Sequence, residues 1–534
     1  MTTPPSVRRR RSTASRVTAA LAALAALALV ATGCESAVEA QSGGGGDDAA
    51  GGEPQSGGVL QVGTTSDLVP AGLFTNSSQT TDVLVGQVYD SLIDYPLDSL
   101  DPQPRLATAW ETSEDGREVT VDLRDDVTFH DGSDFTSDDV RFSIETWADP
   151  TWTVQFQRTA AAVTGFDTSD PNKIVLSFDR PISNLLDLFD VMPIIDEESF
   201  DADATGQTYV GTGPFTFESW TPGSKIVLNR NDDYWDGAPY LDGVQINIVP
   251  DAQSVVSQLR SGQLDTILGM TNRDAESLGE AGGFTVHPFE GSERHTYVGT
   301  NVTNPALKDV RVRQAIALAV DKERIVEEVY RGVGRPISLP WPEYSPAYDA
   351  EKDATYSRDV ARAKELVAEV GDIPTLPLEY STALANHEAI AQIVQDNLAE
   401  IGIEVTLQPN EQPDHIEKLI GGTFPGLWIL DHAYAQYTPS TLAVTAYPFN
   451  AEKNSSNFVD DTYKADAVAA WEQVDPSSPE AVEAYAKLSD DLLENLFLIE
   501  LSTTTFQAVT SNDVHDFTWS KRSEPVLAKT WLSS

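Results

Sequence analysis

The chain contains a single thiol, that of Cys34, and a thiolate is well suited to nucleophilic attack and soft-metal ligation. No cysteine follows it, so thiol catalysis and cysteine-ligated metal sites are closed to the rest of the chain. Histidine and serine chemistry fails on spacing. His387-Glu388 lacks the second His that a zinc-binding helix places four residues after the first, and no Gly-x-Ser-x-Gly elbow presents a serine nucleophile. Asp131, Asp134, Asp138 and Asp139 crowd together without calcium-loop spacing. Turn and cap duty accounts for them, with Thr136 and Asp139 at the separation of a capping box. Carboxylate pairs stay open among 83 acidic residues, which keeps an extracellular hydrolase as a minor alternative. The residue types favour binding over turnover, and no enzyme activity, cofactor or bound metal is expected.

Cys34 is preceded by Arg8, Arg9, Arg10, Arg11 and Arg16, an apolar stretch from Val17 to Ala31, and the small residues Thr32 and Gly33. This is the order of a secretory signal, and its apolar part is shorter than the roughly 20 residues that cross a bilayer. Residues 35–56 are rich in glycine and acid and nearly devoid of apolar side chains. Such a segment is expected to be a coil reaching roughly 25 Å, so 1–33 reads as a signal peptide and 34–56 as a tether.

The net charge is -48, and loss of the signal arginines makes it more negative still. Phosphate recognition needs clustered Lys and Arg, which excludes a nucleic-acid partner. Hydrophobic content of 40% and aromatic content of 8% are those of a globular chain, one too long for a single core. Residues 58–63, 119–123, 173–178, 244–249 and 403–407 read as strands. Residues 81–89, a segment after Thr136, one capped by Asp251, 309–330, 358–370, 387–401 and 479–496 read as helices. Their irregular alternation indicates α/β lobes with insertions.

Two resemblances give these elements a frame. Ala31-Thr32-Gly33-Cys34 resembles the lipobox of bacterial lipoproteins, which implies that the Cys34 thiol carries a diacylglyceryl group and holds the protein on the outer face of the cell membrane. Downstream, five ordered blocks resemble the extracytoplasmic solute-binding proteins of ABC importers, family 5, the peptide, dipeptide and nickel type. They are Leu106-Ala107-Thr108-Ala109-Trp110-Glu111 through Asp138-Asp139-Val140; Gly211-Thr212-Gly213-Pro214-Phe215 with Tyr234-Trp235; Ser261-Gly262-Gln263-Leu264-Asp265; Asp309-Val310-Arg311-Val312-Arg313 through Asp321-Lys322; and Ala361 to Gly371. The resemblance implies an α/β, two-lobed periplasmic-binding-protein type II fold with an extra domain inserted in the first lobe. Domain I then comprises 57–89, 186–300 and 501–534, domain II 90–185, and domain III, the second lobe, 301–500. It further implies a monomer that binds a short peptide or similar amino-bearing solute and delivers it to permease subunits. A nickel chelate, an oligosaccharide or an opine is the alternative ligand, and a sensor the alternative role.

The same resemblance supplies site residues. Trp428 and Asp431 keep the family's Trp-x-x-Asp spacing, with Asp431 expected to take the ligand's ammonium, since a buried carboxylate needs a partner. Phe74, Asn76 and Ser77 fall where the first lobe lines the cleft, Trp341 resembles an aromatic lid, and Tyr297 is placed at the crossing into domain III. The run His432-Ala433-Tyr434-Ala435-Gln436-Tyr437-Thr438-Pro439 departs from the family's Asp-Tyr-x-x-Pro pattern.

Overall fold

The computed structural model describes residues 53–533, except 71–72, 75–77, 151–154, 201–205, 290, 292–293 and 385. Cys34, Asn76 and Ser77 lie outside the described residues.

Alternating apolar side chains build three larger sheets. In Glu118–Leu123, Val119, Val121 and Leu123 are buried while Glu118 is exposed, the period-two pattern of a half-buried strand. That strand belongs to a four-stranded antiparallel sheet ordered Ala107–Thr112, Glu118–Leu123, Lys173–Phe178, Val163–Asp170. A seven-stranded sheet runs Phe284–Pro288, Gln507–Ser511, Thr266–Leu268, Val59–Thr64, Gly243–Ile248, Lys225–Arg230, Phe215–Thr221. Val59–Thr64 lies parallel to both neighbours, and the outer pairs are antiparallel. A five-stranded sheet runs Val405–Asn410, Leu376–Ser381, Leu427–His432, Arg294–Thr300, Leu498–Thr504.

The chain passes between the last two sheets along a paired ribbon. Phe284–Pro288 pairs with Gln507–Ser511 in the seven-stranded sheet, and Arg294–Thr300 pairs with Leu498–Thr504 in the five-stranded one, both antiparallel. Arg294 and Thr504 face each other where the ribbon enters the second sheet.

The helices follow their caps. Asp251 accepts from the Ser254 N–H at 2.8 Å at the head of Ala252–Arg260, and the Asp139 carboxylate accepts from the Thr136 N–H at 2.8 Å at the head of Ser137–Ala148. The expected continuous helix over 309–330 is instead broken. Val310–Ala319 stops at Val320, Asp321 caps a new turn through the Arg324 N–H at 3.0 Å, and Ile325–Val329 is π-helical. Apolar spacing persisted across the break because both halves pack on the same core, which conceals the capping aspartate. The Gly211 and Gly213 block is explained by contact: a Cβ at either would fall on the carbonyls that end the helix Gln79–Val88.

Candidate functional site

The strand Leu427–His432 sets Asp431 opposite Thr296 and Trp428 opposite Gly299. Successive side chains on a strand alternate between faces. Leu427, Ile429 and Asp431 therefore share one face with Thr296 and Val298, while Trp428, Leu430 and His432 share the other with Tyr297 and His295. The cores agree with this: Leu427, Ile429 and Val298 belong to one apolar cluster, and Trp428, Leu430 and Tyr297 to another.

Asp431 is held at the edge of its face. The Thr296 hydroxyl donates to Asp431 Oδ1 at 2.6 Å, and Thr296 Oγ1 lies 2.7 Å from the Tyr330 hydroxyl. Because Thr296 has one proton to give, Tyr330 donates to Thr296 and Thr296 to Asp431. His387, the first residue of the helix His387–Glu400, brings Nε2 to 3.3 Å from the same carboxylate, close enough for an ion pair but not aligned as a hydrogen bond. Burial pushes the Asp431 carboxyl up, but His387, the Thr296 hydroxyl and Arg294 outweigh it and hold the group below its ordinary value. The side chain remains 22% exposed, so an ionised carboxylate still meets open space.

Two further titratable side chains, Arg294 and Asp82, belong to this region. Arg294 is on the Thr296 face, two residues along, a diagonal cross-strand neighbour of Asp431. Its guanidinium sits 5.6 Å from the centroid of the Phe506 ring. Asp82, on Gln79–Val88 in contact with the seven-stranded sheet, is pushed up to about 8 by burial, against the pull of Arg294 and with Glu524 adding to the rise.

The other sequence-derived residues are distributed elsewhere. Trp428 is fully buried, stacked on Phe424 at 4.6 Å, and covers Gly299, where a Cβ would fall inside the indole. Tyr297 is buried in the same cluster, 6.2 Å from the Phe449 ring. Trp341 is buried and donates its indole N–H to Ser489 Oγ at 2.9 Å. Phe74 is half-buried, edge-on to Tyr89 at 5.3 Å. Of the named residues that are described, Asp431 alone shares the face of Arg294 and Thr296.

A second junction carries residues that the sequence reading missed. The helix Leu185–Val191 offers two buried carboxylates to the segment that follows Leu427–His432. Asp187 accepts from the Thr438 N–H at 3.1 Å, the Thr438 hydroxyl at 3.0 Å, the Thr441 hydroxyl at 2.6 Å and the Tyr95 hydroxyl at 3.3 Å. Asp190 accepts from Tyr437 at 2.7 Å and pairs with Arg522 at 3.2 Å. Trp471 donates to Asn184 at 2.7 Å, and Ser183 meets Ser440 at 2.8 Å. The available signal was two acids set in the apolar run Leu185-Leu186-Asp187-Leu188-Phe189-Asp190, which buried carboxylates with partners require. Arg294 and Asp82 gave no comparable signal. Among the described residues no group of His, Cys, Asp and Glu is arranged to hold a metal ion, and no helix is long and apolar enough to cross a membrane.

Comparison with known proteins places this geometry in a wider setting. The family model described as bacterial extracellular solute-binding proteins, family 5 Middle, matches residues 101–461, more than half of the chain. The oligopeptide-binding protein AppA of Bacillus subtilis (strain 168) is 27% identical over 399 residues, covering 69% of this chain and 72% of its own. The dipeptide-binding protein of Escherichia coli (strain K12) is 26% identical over 431 residues, covering 73% and 78%. The solved structure of AgaA in complex with agropinic acid, from A. tumefacien R10, matches with a TM-score of 0.78 at 24% identity, over 89% of this chain and 99% of that one. The fold is the two-lobed α/β fold of periplasmic binding proteins.

Proposed function

Because the chain belongs to the bacterial extracellular solute-binding proteins of family 5, we propose that it is the receptor of an ABC importer, capturing a short peptide or similar amino-bearing solute between its lobes and passing it to a membrane permease. One observation carries the choice of ligand: Asp431, kept ionised and partly open beside the ribbon that joins the two large sheets. A solute ammonium supplies the charged hydrogen-bond partner that this carboxylate lacks. The names of the Bacillus subtilis and Escherichia coli relatives, an oligopeptide-binding and a dipeptide-binding protein, support a peptide-like solute.

In this reading the seven-stranded sheet is the body of domain I, the four-stranded sheet that of the inserted domain II, and the five-stranded sheet that of domain III. The paired ribbon is the hinge. Ligand bound between the lobes favours the closed form by its differential affinity for it, and an acylated Cys34 keeps the receptor at the outer face of the membrane. The protein acts as a monomer and binds without turnover.

The test is native mass spectrometry of the protein as purified, followed by calorimetry with the released solute. The expected outcome is one amino-bearing molecule per chain, recovered chemically unchanged, and bound at least about tenfold more weakly by Asp431→Asn. An occupant without an amine redirects the assignment to a nickel chelate, an oligosaccharide or an opine. Consumption of the solute identifies an enzyme instead.

A further inference from the structure

A buried seam fastens two bodies that are separate along the chain. Between the four-stranded sheet, which ends at Phe178, and the five-stranded sheet, which starts at Arg294, the chain runs through the seven-stranded one. The helix Leu185–Val191 belongs to the first body, its Leu188 and Phe189 sharing an apolar cluster with Val121, Ile174 and Leu176 of the four-stranded sheet. The helices Asp461–Trp471 and Pro479–Asn495 belong to the second, in the cluster of Trp428 and Leu430. Two side chains of the second body reach across. The Tyr437 ring lies in the cluster of the four-stranded sheet, 6.2 Å from Phe156 and 6.1 Å from Tyr95, and its hydroxyl donates to Asp190. The Trp471 carbonyl accepts from the Ser183 N–H at 2.8 Å, and the guanidiniums of Arg158 and Arg180 lie 4.9 and 4.8 Å from the centre of the Trp471 ring. Arg180 also pairs with Glu472 at 3.0 Å.

Hydroxyls, carboxylates and guanidiniums carry most of these contacts, among them the bonds from Thr438 and Thr441 to Asp187. Interfaces that part and re-form are more polar than permanent ones, and water satisfies such groups when the two sides separate. We infer that the seam is a closing latch, whose bonds form when the second lobe swings onto the body of the four-stranded sheet and which holds the closed form together with the bound solute. A latch made of protein groups stabilises that form equally for every solute, so it reduces the differential affinity the solute itself must supply. Tyr437 and Thr438 lie in the run that departs from the family's pattern, so the departure falls on this fastening. The inference rests on the reading of two lobes that close on a solute, and the experiment separates the two.

Spin labels are placed on Glu145→Cys and Glu483→Cys, exposed positions of the two bodies, in a Cys34→Ser background that has no other thiol. Pulsed electron paramagnetic resonance reads their separation in the protein as purified and again after unfolding, dialysis and refolding without solute. Tyr437→Phe/Thr441→Val removes one hydroxyl from Asp190 and one from Asp187 while keeping the shape of both side chains. It is expected to raise the ratio of long to short separations about tenfold or more. Arg180→Gln, at a half-exposed side chain, is expected to raise it about two- to fivefold, and it decides the matter where the double variant does not fold. A separation that lengthens on solute removal, with the same ratio in wild type and variants, overturns the latch and leaves the closing lobes standing. One short separation in every protein and condition makes the seam a fixed contact and overturns both.

Discussion

Asp431 owes its charge to a balance of neighbours: a threonine proton, a histidine and an arginine lower its pKa, while burial raises it. Trp428, three residues before it on the same strand, has a different task, because odd spacing on a strand sends two side chains to opposite faces. The indole fills the core on the far side, stacked on Phe424 and seated on Gly299. Trp428→Ala is therefore expected to cost the second lobe about 3–5 kcal/mol of stability, read as a lower thermal midpoint. Solute affinity measured well below that midpoint stays at the wild-type value. An affinity loss with stability unmoved shows Trp428 touching the ligand. The sequence displayed the Trp-x-x-Asp pair, but its consequence was hidden until the segment was known to be a strand. Arg294 was less legible still: a single arginine beside polar residues has no pattern, and its place beside Asp431 comes only from strand pairing in three dimensions.

At the scale of elements, the helix Leu185–Val191 and the segment 437–441 form a buried polar seam whose strength depends on pH. Burial pushes the Asp187 carboxyl up to about 6, against the hydrogen bonds it receives from Thr441, Thr438 and Tyr95. A carboxyl whose folded value is raised binds its proton more tightly in the folded state. Its contribution is full below about pH 4, near the unfolded value, and is lost as pH rises through about 6. The steepest loss is about 1.4 kcal/mol per pH unit for one proton. Asp187→Asn removes this dependence, so wild-type and variant stabilities, measured by urea unfolding from pH 4 to 7.5, should converge or cross toward the higher pH. His432, pushed down to about 3 by burial and His295, and His415, pushed down to about 4 by burial and His387, act in the opposite sense below about 6.5. The difference between the two proteins is accordingly the quantity to read, and an identical pH slope in both contradicts the role assigned to Asp187. Most elements were legible from apolar period and caps, as the Asp251 and Thr136 caps illustrate. The seam was not, because it joins one helix to the start of another, Pro439–Thr445, about 250 residues away in sequence, and hydrogen-bonding partners at that separation leave no local pattern.

For the whole molecule, the five ordered blocks made the two-lobed architecture readable in advance. The ribbon crossing did not show, since two strands passing from one sheet into another look like any other strands in composition. The crossing nevertheless governs how the parts divide their labour. Arg294 and Asp431 are built from strand register within the five-stranded sheet, and Asp82 is brought to them by a helix on the seven-stranded one. If Cys34 serves only as the acyl anchor proposed for it, binding and localisation are separable: acyl chains contribute about 0.8 kcal/mol per buried methylene to membrane attachment and nothing to the register that places the site. Cys34→Ser is expected to move the protein from the membrane pellet to the soluble fraction after cell fractionation. Calorimetric affinity of the released form for the solute of the tethered protein should be unchanged. A soluble variant with weakened affinity shows that the anchor shapes the site, and a variant still in the pellet shows that attachment has another source.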